Sequence, residues 1–194
     1  MLDNAVVRNY LIIINIIGFF LYLINKSLYK HTVDGQVDIL LTITSLIGGS
    51  GGILLAILLF DRKSEKENMM SRVFIACIFV IQCILLLIIK DNIFEKLSLN
   101  FSSFIEKNKI LLIYLIVINI ITFISFAIDK HAANNNKWRI KNVTLLGLSF
   151  IGGSIGGLIA MHTFKHKTQK AYYTVGFWLM IIMQILVLVY YFNK

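Results

Sequence analysis

Six apolar runs almost free of charge divide this chain: Val6 to Ile24, Ile39 to Phe60, Val73 to Ile89, Ile110 to Ile128, Val143 to Phe164 and Ala171 to Phe192. A bilayer core of about 30 Å takes about 20 apolar residues in a helix, and each run comes close to that length. A soluble domain carries about 45–50% apolar and about 25% charged residues; here the figures are 58% and 15% of 194 residues. That excess cannot be hidden in a core of its own. The fold expected is an all-α integral membrane protein with six transmembrane helices, which puts both termini on one side. Barrel strands would alternate over about 10 residues instead of running on unbroken. The first run reads as a retained helix, because Asn15 interrupts it and no small-residue cleavage site follows.

The chain also repeats itself at an offset of 104: Tyr10 to Ile17 reads YLIIINII and Tyr114 to Ile121 reads YLIVINII. The register continues through Phe19 with Phe123, Lys26 with Lys130, Ser45 with Ser149, Gly48-Gly49-Ser50 with Gly152-Gly153-Ser154, Gly52 with Gly156 and Phe60 with Phe164. Matched Asn, Gly, Ser and Lys positions are not what two helices share by greasiness alone. The expected organisation is a first three-helix repeat over 1–90, an interfacial amphipathic linker over 91–109, and a second repeat over 110–194. Three crossings per repeat is an odd number, so the second copy is expected to enter from the opposite side, making two inverted three-helix repeats.

Under that topology the 19 Lys and Arg divide almost evenly. The side of the termini holds ten (Arg8, Arg62, Lys63, Lys66, Arg72, Lys130, Lys137, Arg139, Lys141, Lys194) and the other holds nine. Orientation follows from an asymmetry in such counts, so none is expected here. The net charge of +9 falls between the apolar runs, which suits lipid headgroups better than nucleic acid. Cys77 and Cys83, six residues apart in one run, form no disulfide framework.

The second repeat resembles a bacterial membrane family catalogued as domain of unknown function 1294. The resemblance rests on INxxxFxxFxIDK at Ile118 to Lys130, WRI at Trp138 to Ile140, GGSxGG at Gly152 to Gly157 and MxxFxHKTxK at Met161 to Lys170. It implies a unit of three hydrophobic segments, sometimes joined to a cold-shock domain, with no established activity. Lys141 and Asn142 stand where the family usually has Pro-Glu. The first repeat departs further: Asn25 replaces Asp129, no WRI is present, and Asp61-Arg62-Lys63-Ser64 replaces Lys165-His166-Lys167-Thr168.

Small residues at every fourth position, Gly48, Gly52 and Ala56 or Gly152, Gly156 and Ala160, with Gly49, Gly153 and Gly157 on second stripes, read as helix packing, the second and fifth helices meeting each other. A break that exposes backbone to an ion is the less favoured reading. Asn15 and Asn119 lie deep in their helices, where an unpaired amide is costly; with Ser50 and Ser154 they make a candidate midplane polar site. Gln82 and Gln184 fit the offset less well and read as packing bonds. Asp129, Lys130 and Arg139 are expected at one basic mouth, and His166, Lys167 and Lys170, joined by Lys26, at the mouth on the opposite face. His162 and His166 lack further metal ligands nearby in sequence, so no metal and no cofactor is expected.

These features fit a small-solute or ion transporter or channel of the bacterial plasma membrane, not an enzyme. The alternative is a non-catalytic membrane scaffold or stress-related factor whose basic loops hold anionic lipid or a partner protein. A lipid-modifying enzyme using His166 and Asp129 ranks last, because three crossings per repeat set those residues at opposite faces. The expected partners are the bilayer with its anionic headgroups, a further copy of the chain staying open, and no nucleic acid.

Overall fold

The computed structural model of the chain describes residues 4–28, 39–61, 69–93, 108–135 and 138–193. The expected interfacial helix of 91–109 lies largely outside them. All regular structure among the described residues is helical: α1 Asn4–Leu28, α2 Ile39–Thr44, α3 Ser50–Phe60, α4 Met69–Lys90, α5 Lys109–Asn134, α6 Asn142–Leu148, α7 Ser154–Thr163 and α8 Ala171–Asn193. In hydrocarbon every backbone polar group needs an internal partner, which helices supply and which explains why Ile- and Val-rich runs are helical here. Six helical segments are long and apolar enough to cross a membrane. Ile12, Ile16, Ile116 and Ile120 point outward, about half exposed, as lipid-facing side chains do.

Two of those six segments are not straight. Between α2 and α3 the turn Ser45–Gly49 carries Gly48 at φ 119°, and between α6 and α7 the turn Ser149–Gly153 carries Gly152 at φ 138°. Such a φ is open to glycine at little cost, and one glycine there ends a helix and redirects the chain. The sequence has no proline to do the same work.

The direction of the second arm follows from its contacts. Tyr10 reaches Ile47, Asn15 reaches Gly52 and Tyr22 reaches Asp61, so numbers rise together along α1 and α3. In the second copy Tyr114 reaches Ile151, Asn119 reaches Gly156, Phe123 meets Phe164 and Asp129 meets His166. Straight successive crossings would be antiparallel; α1 with α3, and α5 with α7, are parallel. A straight helix over Asn142–Thr163, 22 residues, would hold its ends about 33 Å apart at about 1.5 Å per residue. Instead Lys167 Nζ lies 2.8 Å from Asn142 Oδ1. Each bent segment is therefore a re-entrant hairpin that returns to the side it left. In the first copy Leu41 of α2 shares one apolar cluster with Ile53 and Ile57 of α3, Ile75 of α4 and Leu21 and Tyr22 of α1.

These contacts correct three expectations. The middle segment of each repeat is not one straight crossing but turns back at its glycine. The glycine stripes pack within their own units, Gly52 and Gly156 against the first helix and Gly157 against Phe177 of α8. A Cβ on Gly52 would fall 1.8 Å from the Asn15 carbonyl oxygen, and one on Gly156 would fall 2.2 Å from that of Asn119. Finally, the helix break that seemed the lesser reading is present, together with the close packing. The chain forms two compact units, Met1–Cys83 and Ile84–Lys194, so the boundary falls within α4 and not after it.

Candidate functional site

A helix leaves its last four carbonyls without intrahelical donors, and a hairpin tip inside an apolar slab cannot give them to water. Both copies meet the problem with the same side chains. In the second, Gln184 Nε2 donates to Ser149 O at 2.8 Å and Phe150 O at 3.2 Å, Tyr114 Oη to Ile151 O at 2.7 Å, and Asn119 Nδ2 to Gly152 O at 2.9 Å. In the first, Gln82 serves Ser45 O at 2.6 Å and Leu46 O at 3.1 Å, Tyr10 serves Ile47 O at 2.7 Å, and Asn15 serves Gly48 O at 3.0 Å. Each asparagine also accepts from the glycine that opens the outgoing arm, Gly52 N at 2.6 Å or Gly156 N at 2.7 Å. Its second amide hydrogen goes to Leu11 O or Leu115 O, both at 2.7 Å. Ser154 donates to Gln184 Oε1 at 2.5 Å and Ser50 to Gln82 Oε1.

The four residues of the expected midplane site thus occupy equivalent places in their own units, and their polar groups are spent on the hairpin tip. Gln82 and Gln184, read from sequence as incidental packing bonds, complete the set. The signal for them was available: each copy places one glutamine on its last helix, at an offset of 102, two short of the repeat.

The charged residues gather at the other end of α5, fifteen residues or about 22 Å along the helix from Tyr114. Asp129 is fully buried. Its Oδ2 lies 2.8 Å from His166 Nε2 and 2.8 Å from Lys167 Nζ, with Arg139 Nη2 at 3.7 Å. Lys167 donates further to Asn142 Oδ1 at 2.8 Å and Tyr173 Oη at 3.1 Å, so all three of its hydrogens have acceptors. Tyr173 Oη lies 3.2 Å from Asn142 Oδ1, and its ring packs with Phe126 and Phe177. One network therefore ties α5, the start of α6, the segment after α7 and the start of α8. Lys165 and Lys167, on either side of His166, both hold left-handed φ, 45° and 63°, a strained conformation that persists where surrounding contacts fix it. Burial holds the His166 ring below the usual histidine range, against the pull of the Asp129 carboxylate. Burial likewise lowers the Lys167 ammonium, opposed by the same carboxylate.

His166 and Lys167, expected at the mouth opposite Asp129 and Arg139, are in contact with Asp129; the hairpin brings the two expected mouths of this unit together. Lys130 and Lys170 lie half-buried near them, and Arg139 is exposed. Asn142 and Tyr173 were not foreseen as partners. In the first unit the corresponding place holds Asp61, whose Oδ2 accepts from Tyr22 Oη at 3.1 Å and lies 3.2 Å from Arg72 Nη2, with Lys26 Nζ 3.7 Å from Oδ1. The carboxylate has moved across the cleft: Asn25 stands where α5 has Asp129, and Asp61 stands where the second copy has Lys165. No group of three His, Cys, Asp or Glu placed to hold a metal occurs among the described residues.

A family model described as protein of unknown function (DUF1294) matches residues 119–173. The uncharacterized protein YsdA of Bacillus subtilis (strain 168) is 37% identical over 79 residues, which is 40% of this chain and 89% of that protein. The chain belongs to the DUF1294 family. The matched stretch contains Asn119, Gly152, Gly156, Asp129, Arg139, Asn142, His166, Lys167 and Tyr173, so the hairpin turn and the charged network of the second unit lie within what the family model describes, while the tip-capping Tyr114 and Gln184 lie outside it. No solved structure matches the chain.

Proposed function

We propose that this DUF1294 protein is a non-enzymatic scaffold of the bacterial plasma membrane, two hairpin-bearing units that hold an anionic partner on their basic surface. The observation that carries this reading is the saturation of the polar groups at the hairpin tip, although in the charged network Asp129 Oδ1 is buried without a hydrogen-bond partner among the described residues. Asn119, Gln184 and Tyr114 close the hairpin tip, and Lys167 has three acceptors, so the groups that a solute pathway would need are committed to holding the fold. Lys141 and Lys165 stay exposed, as does Arg139 while paired at 3.7 Å with Asp129, so this surface is open to an external anion.

Transport is the second reading. Broken helices buried in protein or lining a cavity are a recurring device of transporters, and both copies keep theirs. Purified protein reconstituted into liposomes separates the two. The scaffold reading expects ion and solute leakage equal to that of empty vesicles; flux that the parent supports and Asn119→Leu abolishes would overturn it. The enzymatic reading regains its geometric premise from the 2.8 Å contact of His166 with Asp129, but that contact is also what a structural clasp requires.

A further inference from the structure

The clasp of the second unit treats the two oxygens of its carboxylate unequally. Asp129 is fully buried, and Oδ2 takes His166 Nε2 and Lys167 Nζ, each at 2.8 Å. Oδ1 is buried and has no hydrogen-bond partner among the described residues. An ionised carboxylate only accepts, and a buried acceptor without a donor is costly. The neighbouring donors are committed elsewhere. Lys167 gives its three hydrogens to Asp129 Oδ2, Asn142 and Tyr173, and His166 spends Nε2 on Oδ2. Arg139 Nη2 lies 3.7 Å from Oδ2, beyond the length of a good hydrogen bond.

Charge decides what kind of donor the place accepts. Asp129 is the one carboxylate of this network, and Lys167 balances it at contact distance. Arg139 is then a surplus cation, its side chain 50% exposed. The fields of Lys130 and Lys170 also reach the network, adding to burial, the larger cause, in lowering His166 and Lys167 respectively. An ammonium group would be repelled there. A hydroxyl carried by an anion would not: the anion meets the guanidinium, whose fork pairs two N–H donors with phosphate oxygens, and the hydroxyl donates to Oδ1. Hydrogen phosphate has both features, and a phosphate monoester has them when protonated, near its second pKa of about 6. Sulfate and phosphodiesters have the charge without the hydroxyl, and would set acceptor against acceptor. Arg139 belongs to the stretch 138–141, which is in no helix, so it can turn without breaking a helical hydrogen bond.

We propose that Asp129 Oδ1 and Arg139 form a binding site for a protonated phosphate group, either inorganic phosphate or the end of a phosphate monoester, which enters as the guanidinium turns from the carboxylate to the anion. The site gives the chemical class of the anion in the scaffold reading and rests on that reading for an external anion at this surface.

The test titrates the full chain in detergent, at about pH 6 where a monoester keeps part of its proton, with inorganic phosphate, sulfate and dimethyl phosphate, read by calorimetry. Phosphate should bind at least about tenfold more tightly than the other two, since a site built around a hydrogen bond rejects analogues that lack the partner group. Sulfate carries the larger charge at that pH, so a surface that is merely basic prefers it. Sulfate binding as tight as phosphate, or no binding of phosphate, overturns the site. Arg139→Gln should weaken phosphate several-fold, and unchanged binding in that variant overturns the site as well. Asp129→Asn, whose amide can donate to sulfate, should bring the two anions level; if it does not fold, the selectivity of the parent and the effect of Arg139→Gln decide. Nanodiscs separate the two sources of the phosphate group. Displacement of bound phosphate by phosphatidic acid, a monoester, and not by phosphatidylmethanol, a diester, supports the site as one for a lipid headgroup. Displacement by neither supports it as one for the free ion, and displacement by both overturns the need for the hydroxyl. Solute flux in liposomes removes the scaffold reading and leaves the selectivity standing, whereas equal binding of sulfate removes the site and leaves the scaffold reading standing.

Discussion

At the scale of single residues, the buried polar side chains of this protein do work that a straight helix would not require. Asn119 makes three hydrogen bonds, and two of them serve backbone groups of the hairpin, Gly152 O and Gly156 N. Replacing it by leucine keeps the volume and strands both groups in an apolar environment, at about 1–3 kcal/mol each. Asn119→Leu should therefore lower stability by about 2–5 kcal/mol in denaturant unfolding of the detergent-solubilised protein, and Asn15→Leu should act alike in the first unit. His166 gives a pH dependence. Its pKa is lowered in the folded protein by burial, so the unfolded chain binds the proton more tightly. The stability it secures is fully present above the ordinary histidine value of about 6.5 and is lost as pH falls through the lowered folded value. Melting temperatures of the parent should fall across that acid window, and His166→Gln should flatten the fall; a parallel fall in both proteins would show that other groups carry it.

At the scale of elements, the hairpin depends on one glycine per copy. Gly152, at φ 138°, is in a region where a side chain costs about 1–3 kcal/mol, and a Cβ there would also press on Ile118 at 3.1 Å. Gly147, in α6, has nothing within 4 Å of its Cβ position and sits in a helix, where alanine is favoured over glycine by about 0.5–1 kcal/mol. Gly152→Ala should destabilise and Gly147→Ala should stabilise slightly, as read by thermal unfolding of the two variants side by side. The contrast explains what sequence could and could not say. Helix positions, the repeat and the small-residue stripe are properties of composition and spacing, and they were legible. The reversal was not, because Ile39–Phe60 and Asn142–Thr163 have the length and hydropathy of a crossing whether or not a glycine folds them in two. The readable sign was an excess of polar groups at one depth: Tyr114, Asn119, Ser154 and Gln184 are more donors than packing alone requires, and together they match the carbonyls that a helix end leaves open. The charged network was half legible for the same reason. Its members could be named, but the topology that set Asp129 apart from His166 was wrong by one crossing.

For the whole molecule, the two units are the same machine at different stages of change. The tip set of Tyr, Asn, Ser and Gln is unaltered between them, whereas the clasp has been rebuilt: an acid on α5 facing bases after α7 in one, a base on α1 facing an acid after α3 in the other. Exchange of sign across a contact preserves the ion pair while the residues that make it differ. The relative from B. subtilis aligns over 79 residues that make up 89% of its length, close to one unit, so within the family a single unit stands as a protein. The second unit here contains its own tip caps, clasp and aromatic packing of Phe126, Tyr173 and Phe177, built from contacts among residues 114–184. A chain beginning at Asn108 should accordingly insert and fold without the first unit. Its amides in α5 and α7 should exchange as slowly as in the full protein, and His166→Gln should shift its melting temperature by the same amount in both. Rapid exchange throughout the shortened chain would mean that the second unit takes its stability from the first, and that duplication has become dependence.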